Sequence, residues 1–190
     1  MPQGAVDYTV AVSPAWVFVT SNENKWREAQ QIVGRPFDRL SLELPEIQAA
    51  TVLEVAVEKG RAAFAALRRP VIVEDAGLEL TALGGFPGPF IKFWEKLGGL
   101  ESICRAADGL KDRRAHAVCA LVLCDERGVR PFEGRAAGTI ASSPRGANGF
   151  GWDAVFVPDG GQRTWGEVTQ AEKDAKSHRR QAWELLAKSI

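Results

Sequence analysis

The sequence predicts an α/β domain built on a mixed sheet, and three stretches carry that expectation. The first eighty or so residues alternate strand and helix patterns in the order βαβαβ, which favours helices packed around parallel strands. Val71-Ile72-Val73 is a β-branched run of the kind buried on both faces of a sheet. Ala115 to Cys124 and Val129 to Thr139 then read as strands joined by Asp125-Glu126-Arg127-Gly128. That is an antiparallel hairpin with a short glycine-containing loop, and it makes the sheet mixed. At 190 residues the chain is expected to form a single domain over 1–190, or two closely joined lobes.

Met1 to Pro14 has little pattern and is expected to be a loose arm. Trp16 to Val19 is the first strand. It runs into the polar turn Thr20-Ser21-Asn22-Glu23-Asn24-Lys25 and a helix with Trp26, Ala29, Ile32 and Val33 on one side, stopped by Gly34 and Pro36. A strand, polar turn and helix start present free N–H groups to an anion. The same turn is also an ordinary connection capped by asparagine, and the spacing matches no Walker loop. Leu40 to Leu44 is expected to be a second strand. Thr51 and Glu54 have capping-box spacing, opening a helix with Leu53, Val57, Gly60, Phe64 and Leu67 on one face and Lys59 away from it.

After Val71-Ile72-Val73 come Glu74-Asp75 and then a glycine. The expectation is a strand tip carrying two carboxylates, which either cap a turn or meet a cation. Gly84 to Pro89 reads as a rigid turn with Pro89 at the first helical position. Phe90, Phe93, Trp94 and Leu97 then form a stripe expected to face the core, with Lys92 opposite. Gly98-Gly99 closes that helix, and Leu100 to Ala107 forms a shorter one. Pro144 to Gly151 is a glycine-rich loop before a strand over Trp152 to Val157. Thr169 and Glu172 repeat the capping-box spacing. The last helix begins near Ser177 with His178, Ala182 and Leu185 on one face, His178 reading as a buried, hydrogen-bonded residue.

Hydrophobic residues at 45% and charged residues at 25% exclude disordered and fibrous classes. The 24 basic and 24 acidic side chains cancel, which argues against broad nucleic-acid binding. Three cysteines without paired spacing and two histidines argue against a zinc site. They suit buried thiols in a reducing cytoplasm. The N-terminus lacks a basic region and Pro14 breaks its apolar stretch, unlike a secretory signal. No apolar run reaches the ~20 residues of a membrane span.

Four patches in fixed order resemble the inosine triphosphate pyrophosphatase family. They are Phe18 to Lys25; Leu44-Pro45-Glu46 with Glu74-Asp75; Leu83 to Lys92, reading LGGFPGPFIK; and Phe150-Gly151-Trp152-Asp153 with Ser177-His178-Arg179. The resemblance implies an elongated mixed sheet flanked by helices, two lobes with a central cleft, and a homodimer. It implies Mg²⁺-dependent hydrolysis of non-standard purine nucleoside triphosphates to monophosphate and pyrophosphate. By the same match Thr20, Asn22, Lys25 and Lys59 would hold phosphates, and Glu46 and Asp75 the metal. Lys92, Phe150, Gly151, Trp152, Asp153, Lys173, His178 and Arg179 would line the nucleotide. Asp75 is the expected catalytic base, with Glu74 its rival. Ala76 stands where the family usually has Ser or Thr, and Lys59 aligns only with one extra residue after Glu46. Two alternatives stay open: a related nucleotide pyrophosphatase of other base specificity, and a non-catalytic nucleotide-binding protein.

Overall fold

Seven strands form one mixed sheet in the computed structural model, which describes residues 16–189. The arm expected over Met1 to Pro14 lies outside the described residues. β1 (Val17–Val19) lies parallel between β2 (Arg39–Leu40) and β3 (Val71–Leu80). β3 pairs antiparallel with β5 (Arg114–Asp125) from Val71↔Cys124 to Leu80↔Ala115. β5 turns at Asp125↔Gly128 into β6 (Gly128–Ile140), as the hairpin pattern predicts. β4 (Pro87–Gly88) adds to the far end of β3, and β7 (Phe156–Pro158) to the far end of β6.

Side-chain alternation splits the core around this sheet. Phe18, Ile72, Leu121 and Leu123 face one side, against Trp183 and Leu186 of α5 (His178–Ala187) and Ala29 of α1 (Glu23–Val33). Val17, Val19, Val71, Val73 and Val122 face the other, against Val52, Ala56 and Ala63 of α2 (Val52–Leu67). A third cluster surrounds Leu78, Leu80, Ala115 and Ala117 farther along β3 and β5, with Ile91 and Ile103 of α3 (Ile91–Asp108), Trp152 and Trp165. β3 and β5 therefore run through all three clusters, and Glu74 to Ala76 of β3 line the cleft described below.

Several local expectations change. The tip expected at Glu74-Asp75 is the middle of β3, which continues to Leu80 because β5 supplies a partner all the way. What stops there is its other neighbour: β1 ends opposite Val73, so Glu74 and Asp75 lie just beyond the end of the parallel pairing. The strand expected over Leu40 to Leu44 contracts to Arg39–Leu40. On α2 the buried stripe is Val52, Val55, Ala56, Gly60 and Ala63, with Leu53, Val57, Phe64 and Leu67 flanking it half-buried. Its capping box at Thr51 and Glu54 forms as expected. Pro89 does not open α3, which starts at Ile91 behind Phe90 because Pro87–Gly88 is used by β4. The break inside α3 falls at Gly99, whose φ of 72° only glycine adopts freely. Trp152 lies in a 3₁₀ turn (Gly151–Val155) and only Phe156 onward is strand. α4 (Gln170–Asp174) starts at the Thr169–Glu172 box.

The largest departure is the aromatic stripe of α3. Phe93 and Leu97 are 53% and 84% exposed, and with Phe86, itself 56% exposed, they leave an apolar groove on the surface. Helical period reports which residues share a face, not what covers that face.

Candidate active site

A cleft of about 690 Å³ collects residues from every part of the chain singled out above. The first contributor is the turn between β1 and α1. Thr20 Oγ1 accepts from the Asn22 N–H at 3.1 Å, and Asn22 Oδ1 accepts from the N–H groups of Asn24 and Lys25 at 3.0 and 3.2 Å. Asn22 is thus the helix cap, and the cap aims the positive end of α1 into the cleft. From this turn Lys25 Nζ reaches Glu74 Oε1 at 3.3 Å.

The two carboxylates of β3 are not equivalent. Glu74 faces the buried side and is clamped by Arg179, whose Nε lies 3.1 Å from both carboxylate oxygens and whose Nη2 lies 2.9 Å from Oε1. Burial alone would raise its pKa, but Arg179 and then Lys25 outweigh it and hold Glu74 below the ordinary glutamate range. Asp75 faces the opening and only partly leaves solvent. Among the described residues no donor hydrogen-bonds its carboxylate. Burial raises its pKa, with Lys25 and Lys59 opposing and Glu46 and Glu74 adding to the rise.

Lys59, which the resemblance assigns to the phosphates, turns into the cleft and meets Glu46 Oε1 at 2.7 Å. Lys92 approaches Glu46 Oε2 at 3.5 Å. Glu46 lies in the irregular chain between β2 and α2. Burial works against it, but Lys59 and Lys92 keep the Glu46 carboxyl low.

Opposite lies a pocket of rings and buried charge. Lys173 Nζ bridges Glu28 Oε1 at 2.7 Å and Asp153 Oδ2 at 2.6 Å, and Asp153 also accepts from the Phe150 N–H at 2.8 Å. Arg179 Nη1 closes the circuit on Glu28 Oε2. Both cations lie over the Phe150 ring, at 4.9 Å for Lys173 and 5.4 Å for Arg179. Three of the buried acids, Glu28, Glu74 and Asp153, thus pair with Lys173, Arg179 and the half-buried Lys25.

His178 stacks on Trp165, with centroids 5.2 Å apart and planes 12° from parallel, and packs on Trp152 at 5.6 Å. It is buried as expected but not hydrogen-bonded: among the described residues neither ring nitrogen has a partner. Burial first, and then the charges of Arg179, Lys173 and Lys25, push its pKa well below 6.5, so the ring is neutral and offers one donor and one acceptor. Gly134 of β6 sets its height. A Cβ there would come within 2.1 Å of the His178 carbonyl oxygen, so only glycine lets the start of α5 lie flat on the sheet.

The cleft therefore brings together every site residue expected from the sequence. Three participants were missed. Glu28 shares the inward stripe of α1 with Lys25, Ala29 and Ile32, and a carboxylate on an apolar stripe was the signal available. Trp165 and Glu95 gave none.

A model of the Ham1 family matches residues 16–189. A protein of Batrachochytrium dendrobatidis named inosine triphosphate pyrophosphatase is 42% identical over 175 residues, covering 90% of each chain. A dITP/XTP pyrophosphatase of Methanopyrus kandleri is 39% identical over 90% of this chain and 93% of its own. Among solved structures, a HAM1 protein from Coxiella burnetii superposes with a TM-score of 0.81 at 29% identity, covering 92% of this chain and 96% of the other.

Proposed function

The chain belongs to the Ham1 family, and from that premise we propose that it hydrolyses inosine, deoxyinosine and xanthosine triphosphates to the monophosphate and pyrophosphate, clearing them from the nucleotide pool. The observation that carries the reading is one cleft joining Asp75, Lys25 and Lys59 at one end to the pocket of Phe150, Trp152 and His178 at the other. A polyphosphate needs the first and a purine the second.

Among the described residues no three His, Cys, Asp or Glu side chains gather as a metal cage. The oxygens of Asp75 and Glu46 suit Mg²⁺, which takes one or two carboxylates and completes its shell from water and substrate phosphates. When bound, that ion neutralises phosphate charge and acidifies water. Thr20, the helix start behind Asn22, Lys25 and Lys59 hold the phosphates, positioning and neutralising charge being the main work of phosphoryl transfer. Asp75 orients a water molecule and takes its proton as the water oxygen bonds to the α-phosphorus. The bond to the bridging oxygen breaks, and pyrophosphate leaves with the electron pair. Glu74 holds Arg179 instead, because its lone pairs are occupied and its carboxyl is held low. Phe150 and Trp152 take the purine face, and the free nitrogens of His178 with the Lys173 and Arg179 edge read its polar rim. A base with an oxygen at the six position pairs there, and adenine leaves those groups unpaired.

Product analysis with ITP, XTP, GTP, ATP and UTP in Mg²⁺ tests this. Inosine monophosphate with pyrophosphate is expected, and chelation of the metal stops the reaction. Inosine diphosphate with phosphate would overturn it.

The homodimer implied by the family likeness has an apolar surface to use in the groove of Phe86, Phe93 and Leu97, since a two-fold pairing sets the same patch on both sides. Leu97→Glu is expected to convert a dimer to a monomer in light scattering. An unchanged dimer would place the contact elsewhere. Three free, buried cysteines fit a reducing cytoplasm, and no helix of the described residues is long and apolar enough to cross a membrane.

A further inference from the structure

Among the described residues, each buried acid around the purine pocket has a cation except one. Glu28, Glu74 and Asp153 pair with Lys173, Arg179 or Lys25. Asp174, next to Lys173 in α4, is only 7% exposed, and no cation among the described residues forms an ion pair with it. Its carboxylate is met instead by Gln170, whose Nε2 lies 2.7 Å from Asp174 Oδ1 and 3.0 Å from Glu28 Oε1.

One side-chain amide thus stands between two carboxylates and gives an N–H to each. Glutamine suits the place because it brings two donors on one nitrogen and no charge. A lysine there would form ion pairs of its own, and an ionised glutamate would have nothing to donate. Glu28 is also the acid on which both cations of the purine pocket converge, Lys173 on Oε1 and Arg179 on Oε2. Burial raises the Asp174 carboxyl and Glu28 adds to the rise, while the Gln170 hydrogen bond, Lys173 and Arg179 oppose it. Both cations are therefore near enough to act on Asp174. A buried carboxylate left without a donor is costly, so Asp174 without the amide would compete with Glu28 for them.

Resting on the base reading proposed above, we propose that Gln170 is a positioning residue for purine recognition: by satisfying Asp174 and Glu28 together, it keeps Lys173 and Arg179 on Glu28, at the polar rim of the base. Without it Asp174 draws Lys173 toward itself, and the donors that pair with a six-position oxygen leave their places. Adenine does not use those donors and loses nothing.

Calorimetric titration in Mg²⁺ with the α,β-imido analogues of inosine and adenosine triphosphates reads this without turnover, because the bridging oxygen of the reacting bond is replaced by nitrogen. Wild type is expected to favour the inosine analogue. In Gln170→Ala the affinity for that analogue falls about tenfold, the scale of one hydrogen bond to a charged group, while binding of the adenosine analogue holds. Gln170→Met, which fills the same space without an N–H, is expected to match it. Asp174→Asn added to Gln170→Ala removes the competing charge and is expected to restore most of the lost affinity, a coupling that simple loss of packing does not produce. An unchanged inosine affinity, an equal loss for both bases, or no recovery in the double variant would overturn the assignment. A wild type that favours neither base sinks the purine reading and this assignment together, whereas an inosine preference indifferent to Gln170 sinks the assignment alone. Base preference without pyrophosphate release sinks only the activity.

Discussion

Asp75→Asn is expected to lower kcat for inosine triphosphate at least about 10²–10⁴-fold, the range for losing a positioned general base, while the protein stays folded. The substitution is isosteric and removes the charge, so it removes the base and weakens the metal site together. The pH profile carries the same information in the wild type. Burial raises the Asp75 carboxyl above its ordinary 3.8, and only the ionised form accepts a proton. Turnover therefore falls as Asp75 is protonated in acid, and a bound cation moves that protonation to lower pH than in the metal-free protein. Stability moves the other way. A carboxyl whose folded pKa exceeds its unfolded one disfavours the folded state once ionised at neutral pH, so Asp75→Asn should melt no lower than wild type at pH 7. A variant with near-normal turnover, or one that loses activity only by unfolding, would remove Asp75 from the mechanism.

Glu74→Gln should show the reverse pattern, a large loss of stability. The side chain is fully enclosed and paired with Arg179 and Lys25. Removing one partner of a buried ion pair costs about 3–5 kcal/mol, because the other charge is left uncompensated. Arg179 would be held by Glu28 alone, and urea midpoints are the measurement. The pH dependence has a defined sign. Glu74 has a folded pKa below its unfolded value of about 4.5, so its contribution is present above that value and is lost as pH falls through the lower folded pKa. The gap between wild type and Glu74→Gln should therefore narrow in acid. A gap that is small at pH 7 would mean that Glu74 is not the anchor of Arg179.

The order of strands and helices, the hairpin, the capping boxes at Thr51 and Thr169 and the break near Gly99 were legible in the sequence, because each depends on neighbours within a few residues: period, cap spacing, glycine. The site residues were legible as a set of resembling patches rather than as geometry, since Glu46, Asp75, Trp152 and Arg179 lie far apart in the chain. What only the tertiary structure decided was which neighbour each group meets. β3 runs past Glu74-Asp75 because β5 pairs its whole length. Phe93 and Leu97 stay exposed because nothing within the described chain covers that side of α3. Lys59 leaves solvent for Glu46, and Glu74 and Asp75, adjacent in sequence, part company because successive residues of a strand point to opposite faces. A carboxylate's role follows from the charge and solvent around it, and that surrounding is assembled from Lys25, Lys59 and Arg179, residues that the linear order keeps apart.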